Sequence, residues 1–285
     1  MFSTQPYDRE FFEEAQKHFH HEWVYFEPRL MLETVSLAAG SQAVCVFVND
    51  QLDAPVIEEL ARMGIRLVAL RCAGFNNVDL RGAHEKGIAV VRVPAYSPSA
   101  VAEHTVGMIL CLSRKFHRAY ARVREGNFSL QGLIGFELHE KKVGIAGLGR
   151  IGMAVAKILK SFGCEVIGYD PLLSQPSRDL DFPLVSLDTL LEESDVITLH
   201  CPLTPDTHHL IDRRSLAKMK NGVMLINTSR GGLIDTYAVI RAMKDRKIGY
   251  LGLDVYEEEE DIFFQDLSGS VIQDDQFARD RKSVV

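Results

Sequence analysis

The run Asn227-Thr228-Ser229-Arg230-Gly231-Gly232 follows an apolar stretch, Gly222 to Asn227, that reads as a strand. A guanidinium at a strand end, flanked by glycines, can clamp a small carboxylate with two parallel hydrogen bonds. The same run also suits a solvated surface arginine. A second run, Lys142 to Pro171, offers a different chemistry. In Gly147-Leu148-Gly149-Arg150-Ile151-Gly152 it carries the spacing G-x-G-x-x-G, after the apolar run Val143 to Ala146. Gly147 allows a tight turn, Gly149 lets backbone approach a pyrophosphate, and Gly152 lets a helix pack on a strand. The free N–H groups and partial positive charge of the helix N-terminus favour the phosphates. Asp170 lies 18 residues beyond Gly152. There a carboxylate can accept from both ribose hydroxyls and repel a 2′-phosphate, which favours NAD over NADP. An isolated G-x-G-x-x-G often marks an ordinary turn, but here strand, glycine turn, helix, second strand and terminal acid occur together.

The elements that would position these residues can be read from periodicity. Ile151, Val155, Ile158, Leu159 and Phe162 recur at helical spacing after the glycine turn, and Val166 to Tyr169 forms the next strand. Upstream, strands are expected over Gln42–Asn49, Ile65–Leu70 and Ile88–Val93. Helices are expected over Tyr7–Phe19, Pro55–Met63 and Val78–Lys86. Met1 to Thr4 is too short for a good strand. Ser97 can cap, and Pro98 can open, a long helix whose apolar stripe is Val101, Met108, Ile109, Leu112 and Phe116. A loop follows from Gly126 to Gly135. Downstream, helices over Leu187–Glu193, Arg213–Met219 and Ile234–Asp245 alternate with strands over Asp195–His200, Gly222–Asn227 and Gly249–Asp254. Such alternation implies an α/β fold with parallel sheets covered on both faces. The long helix would join a smaller domain, residues 1–99, to a nucleotide-binding domain, residues 100–285. Ligands of open α/β sheets sit at strand carboxyl ends. That directs attention to Leu70-Arg71-Cys72-Ala73-Gly74, His200-Cys201-Pro202, Asn227 to Gly232, and Asp254-Val255-Tyr256.

Composition narrows the classes. A chain of 285 residues with 46% hydrophobic and 25% charged residues suits a globular protein with two sizeable cores. A net charge of −7 gives no basic footprint for nucleic acid. The five cysteines form no C-x-x-C pair and mostly sit in apolar runs, as free thiols of a reducing cytoplasm would. Neither a signal peptide nor a membrane-spanning apolar stretch is evident. His104 reads as structural, His208 and His209 as solvated loop residues, and His200 as a neighbour of the cofactor side.

TSRGGLID, LDVYEEE, GLGRIG, LHCPLTPDT and RCAGFNNVD together resemble the D-2-hydroxyacid dehydrogenase family. RCAGFNNVDL, VRVPAYSPSAVAEHTVGMIL and HRAYARVREGNFSLQGL are most similar to its D-lactate dehydrogenase branch. The resemblance implies two Rossmann-like, flavodoxin-like domains, one binding NAD and a smaller one contributing to substrate binding. It also implies reduction of a 2-keto acid, in this branch pyruvate to D-lactate, by NADH, and assembly as a homodimer. Arg230 would hold the substrate carboxylate and polarise its carbonyl. The N–H groups of Ala73 and Gly74 would receive the carboxylate, and Tyr96 would line the pocket. Arg150, Ile151, Asp170, Cys201, Pro202, Thr207, Thr228, Ser229 and Asp254 would surround NAD, and no metal is implied. Glu259, 29 residues after Arg230, would be the catalytic carboxylate that orients a proton-donating histidine and raises its pKa. Glu257, Glu258 and Glu260 would be surface charge.

The family places that histidine well beyond Glu259, whereas the last histidine here is His209. The expectation is therefore a dehydrogenase chain shortened at both ends and impaired in proton transfer. Two alternatives stand beside it: a non-catalytic NAD(H)-binding protein, and a dehydrogenase for another 2-keto acid such as hydroxypyruvate.

Overall fold

Short β-branched runs bounded by glycine, proline and acidic caps fold as parallel strands when helices cover both faces. The computed structural model shows this twice. It describes residues 1–95, 97–173 and 180–257 and the backbone of 283–284. The chain divides into two compact units, Met1–Tyr96 and Ser97–Val285.

In the first unit, β1 (Ala43–Val46), β2 (Leu67–Leu70) and β3 (Ala89–Arg92) form a parallel sheet in that order. Helices α1 (Pro6–Gln16), α2 (Ala54–Arg62) and α3 (Leu80–Glu85) alternate with the strands. Asp53 and Asp79 cap α2 and α3 by accepting from Val56 N and Gly82 N. The core gathers Val46, Val56, Ile57, Leu60, Val68 and Leu70. Met1 to Thr4 forms no named strand, yet Phe2 is buried in this core and its N–H donates to Cys45 O at 2.9 Å. Asp50, fully buried, accepts from Ser3 Oγ and Leu30 N, each at 2.7 Å. Burial pushes its carboxyl up, against the pull of these hydrogen bonds.

The second unit opens with α4 (Pro98–Arg114), capped as expected by Ser97 Oγ, which accepts from Ala100 N. Met108, Ile109 and Leu112 are buried, but Phe116 is 58% exposed. Lys115 adopts a left-handed conformation (φ 58°), ending α4 and starting α5 (Phe116–Arg124) in a new direction. The apolar period thus runs on past the point where the backbone turns. Then come β4 (Lys142–Ala146), α6 (Arg150–Ser161), β5 (Glu165–Tyr169), α7 (Leu187–Glu193) and β6 (Val196–Leu199). They are followed by α8 (Arg213–Lys218), β7 (Val223–Asn227), α9 (Thr236–Lys244), β8 (Ile248–Leu253) and the short β9 (Ser283–Val284). The six strands are parallel in the order β5-β4-β6-β7-β8-β9. The order reverses on either side of β4, so the crevice beyond the carboxyl ends of β4 and β6 is a topological switch point. Phe162, expected on the buried face of α6, is its C-cap and 42% exposed. Cys45, Cys72, Cys164 and Cys201 are buried and Cys111 is partly so; all are free thiols. Among the described residues, no helix is long and apolar enough to cross a membrane.

Candidate active site

The glycine turn after β4 is built by close approach. Gly147 has φ 95°, and a Cβ there would stand 2.5 Å from Cys201 N and 2.6 Å from the His200 carbonyl carbon. Any side chain would therefore be strained and would push β4 away from the end of β6. Gly152 faces the other way: a Cβ would fall 2.0 Å from Gly147 O, where α6 lies against the turn. At Gly149 the opposite holds, since a Cβ would meet nothing within 4 Å. That open ground lies at the N-cap of α6, which has no side-chain cap. The helix start is thus left without a side-chain cap and with open backbone at Gly149, the two features that a pyrophosphate site at a helix N-terminus requires. Arg150, exposed, and Ile151, partly buried, open the helix.

Asp170 ends β5 and reaches back to the turn. Its Oδ2 accepts from Leu148 N at 2.9 Å and its Oδ1 from Leu172 N at 3.0 Å. A carboxylate has about four acceptor positions, so capacity for two ribose hydroxyls remains. The chain's own residues therefore fit a dinucleotide.

The ends of β6, β7 and β8 are stitched into one rim. Ser229 Oγ donates to Cys201 O at 2.7 Å. Thr207 Oγ1 donates to Pro202 O at 2.6 Å and accepts from Thr204 N at 2.8 Å, closing the loop after β6. Thr228, buried, shares a hydrogen bond with Thr105 of α4 at 2.9 Å. Burial holds the Cys201 thiol up at about 11, so it is a neutral packing group. Asn227 shapes the next turn: its Nδ2 donates to Arg230 O at 2.8 Å and its Oδ1 accepts from Ser229 N at 3.0 Å. Arg230 is exposed, with Nη1 donating to Ser229 O at 2.7 Å. Asp254 N donates to Asn227 O at 3.0 Å, which sets Asp254 beside the turn. The sequence placed Asn227 in this run, as a polar residue ending an otherwise apolar strand, but did not show that its side chain shapes the turn.

Histidines and acids pair across long sequence separations. His104, read as structural, has Nε2 3.1 Å from Asp254 Oδ1, and both side chains are about half exposed. His200 shares a hydrogen bond with Thr198 Oγ1 at 2.9 Å, and burial lowers its pKa to about 4. It is neutral near pH 7 and not poised to donate a proton. Two expectations are corrected. Glu257 is not free surface charge and His209 is not simply solvated. The Glu257 carboxylate is 26% exposed, with Oε1 2.6 Å from His209 Nε2 and Oε2 accepting from Thr236 Oγ1 at 2.9 Å. Burial pushes its carboxyl up, but the hydrogen bonds from His209 and Thr236 outweigh that and hold it low.

In the first unit, Ala73 and Gly74 follow β2 and are partly buried. Ala73 O accepts from Arg92 Nη1 at 2.9 Å and Gly74 O from Cys72 Sγ at 3.3 Å. Among the described residues, nothing accepts from the N–H of either. Tyr96 and Glu259 lie outside the described residues.

Residues 106–283 match the D-isomer specific 2-hydroxyacid dehydrogenase, NAD binding domain family. The D-lactate dehydrogenase of Escherichia coli is 52% identical over 279 residues, covering 98% of this chain and 85% of that protein. Of solved structures, the pyruvate reductase of Chlamydomonas reinhardtii is 49% identical with a TM-score of 0.85, covering 99% of this chain and 83% of the other. The D-lactate dehydrogenase of Aquifex aeolicus, solved with NAD and lactic acid, is 35% identical with a TM-score of 0.82, covering 99% and 86%. With the glycine turn, the carboxylate after β5 and the rim around Arg230, these likenesses make the chain a member of the NAD-dependent D-2-hydroxyacid dehydrogenase family.

Proposed function

We propose that this enzyme reduces pyruvate to D-lactate. The observation that carries the reading is the exposed Arg230, held by the Asn227 turn at the strand ends that also bear the glycine turn. The 52% identity to the E. coli D-lactate dehydrogenase favours the three-carbon acid. Bound NADH supplies the hydride. The N–H groups at the start of α6 receive the pyrophosphate, Asp170 the adenosine ribose, and the Cys201–Pro202, Thr207, Thr228–Ser229 and Asp254 rim the rest of the cofactor. Arg230 binds the substrate carboxylate and stabilises the negative charge that develops on the carbonyl oxygen. Ala73 and Gly74 offer further N–H donors for the carboxylate, and Tyr96 lines the substrate pocket. Glu259 acts as the carboxylate partner of a histidine acid. We further propose a cytoplasmic homodimer, on the free cysteines and the family's habit.

No histidine follows His209 in these 285 residues. General acid catalysis is typically worth about 10²–10⁴-fold. A polypeptide of these residues should therefore bind NADH yet turn over slowly beside one extended by the family's histidine-bearing segment. Initial rates of NADH oxidation by both, with pyruvate and hydroxypyruvate, test this. Equal rates would mean another group delivers the proton, and a preference for hydroxypyruvate would reassign the substrate.

Asp170→Ser should weaken NADH binding by about tenfold to a hundredfold, the worth of a charged acceptor's hydrogen bonds. It should also relax the bias against NADPH, since the repelling charge is gone. An unchanged ratio of NADPH to NADH binding would remove Asp170 from the ribose site.

A further inference from the structure

Two adjacent imidazoles and a carboxylate converge beside the rim, on residues that the proposed reaction does not use. His208 and His209 follow the Thr204–Thr207 turn, and Glu257 follows β8. One ligand atom from each of the three lies within 4.8 Å of the others. Adjacent side chains in extended backbone point to opposite faces. Here His209 is left-handed (φ 52°), and the two rings stack with centroids 3.9 Å apart and planes 26° apart. That conformation is uncommon outside glycine, and neighbouring bonds hold it. His209 N donates to Gly232 O at 2.9 Å and His208 N to Thr204 O at 2.8 Å. Thr236 Oγ1 fixes the far oxygen of Glu257 at 2.9 Å. The donors are thus set by three chain segments, with His208 exposed as the side from which an ion and its water could enter.

We propose that His208, His209 and Glu257 form a binding site for one divalent transition-metal ion of the zinc class. Two imidazoles and a carboxylate, with a fourth position left to water, are a ligand set such ions take, whereas calcium and magnesium favour all-oxygen sets. Metal–ligand bonds of about 2.0–2.2 Å put tetrahedral donors roughly 3.3 Å apart. His209 Nε2 and Glu257 Oε1, at 2.6 Å, must therefore part slightly, while the exposed His208 ring turns inward. The ion would take the place of the hydrogen between His209 Nε2 and Glu257 Oε1, and in the neutral imidazole that hydrogen sits on the other ring nitrogen. A bound ion would pin the loop after β6 to the segment after β8. At that point Gly231 has no room for a side chain, since a Cβ would lie 2.5 Å from Glu257 N.

The test is calorimetric titration of the chelator-treated full chain with zinc chloride, beside His208→Ala and the size-matched His208→Gln. The wild-type chain should bind one zinc equivalent that both variants hold at least about tenfold more weakly, because even changes behind the ligands cost about 10–100-fold. The same difference should appear as a visible absorption band when cobalt(II) is added to wild type but not to the variants. Magnesium should give neither. His18, His20 and His21 and the five cysteines are unaltered in all three chains, so zinc held there cancels in the comparison. Identical zinc isotherms for wild type and both variants, or magnesium binding as tightly as zinc, would overturn the proposal. NADH oxidation is a separate readout, so failure here leaves the dehydrogenase reading untouched, and the reverse holds.

Discussion

Arg230→Gln should lower kcat/KM for pyruvate by on the order of 10³-fold while leaving NADH binding unchanged. The reasoning is local. Arg230 is placed by backbone: its carbonyl is held by Asn227 Nδ2 at 2.8 Å, and the turn by Ser229 Oγ on Cys201 O at 2.7 Å. Replacing the side chain leaves those bonds in place, so the loss falls on what the guanidinium touches. A guanidinium presents five N–H donors in a planar fork, of which Nη1 bonds Ser229 O. The rest can take a carboxylate bidentately and a developing oxyanion. Arg230→Lys keeps the charge and loses the fork, so it should fall between wild type and Gln. The measurement is steady-state kinetics in the faster of the two polypeptides compared above, with NADH affinity by fluorescence. If Arg230→Gln retains near wild-type kcat/KM, the carboxylate is bound elsewhere.

The second large effect separates two glycines of one motif. Gly152→Ala should destabilise the second unit, although alanine is ordinarily the better helix former by about 1 kcal/mol. Its Cβ would sit 2.0 Å from Gly147 O, a backbone atom that cannot rotate away. Overpacking of this kind costs typically about 1–3 kcal/mol and occasionally more. At the upper figure, a unit of this size should lose roughly 6–12 °C in Tm. NADH binding should fall with it, because Gly147 cannot move without disturbing Cys201. Gly149→Ala is the contrast. Nothing lies within 4 Å of its would-be Cβ and its φ is −67°. The fold should keep its Tm while NADH binding weakens, since the methyl enters the space reserved for the pyrophosphate. Paired thermal melts and NADH titrations check both. A Gly149→Ala chain that binds NADH normally would mean that the phosphates do not pass over this residue.

Much of this protein is local and could be read from order along the chain. The strand, glycine turn, helix, strand and acid of Lys142 to Pro171 are one contiguous unit whose pattern is legible along the chain, although the Gly147 turn also packs against Cys201. The α/β alternation, the cap at Ser97 and the family resemblance are equally matters of short range. What the sequence hid was set by packing between distant segments. The apolar stripe runs through Phe116 as if α4 continued, but Lys115 turns left-handed and puts Phe116 in solvent. Glu257 sits in an acidic run that suggests a solvated face. Only the fold brings it to His209, 48 residues away, and to Thr236, 21 residues away. His104 meets Asp254 across 150 residues, and Ser229 reaches Cys201 across 28. Sequence by itself determined the nucleotide-binding unit and the candidate arginine, because periodicity and turn chemistry are properties of adjacent residues. Tertiary structure alone decided which acids and histidines are partners, because parallel strands joined by helical crossovers set side by side residues that are far apart along the chain.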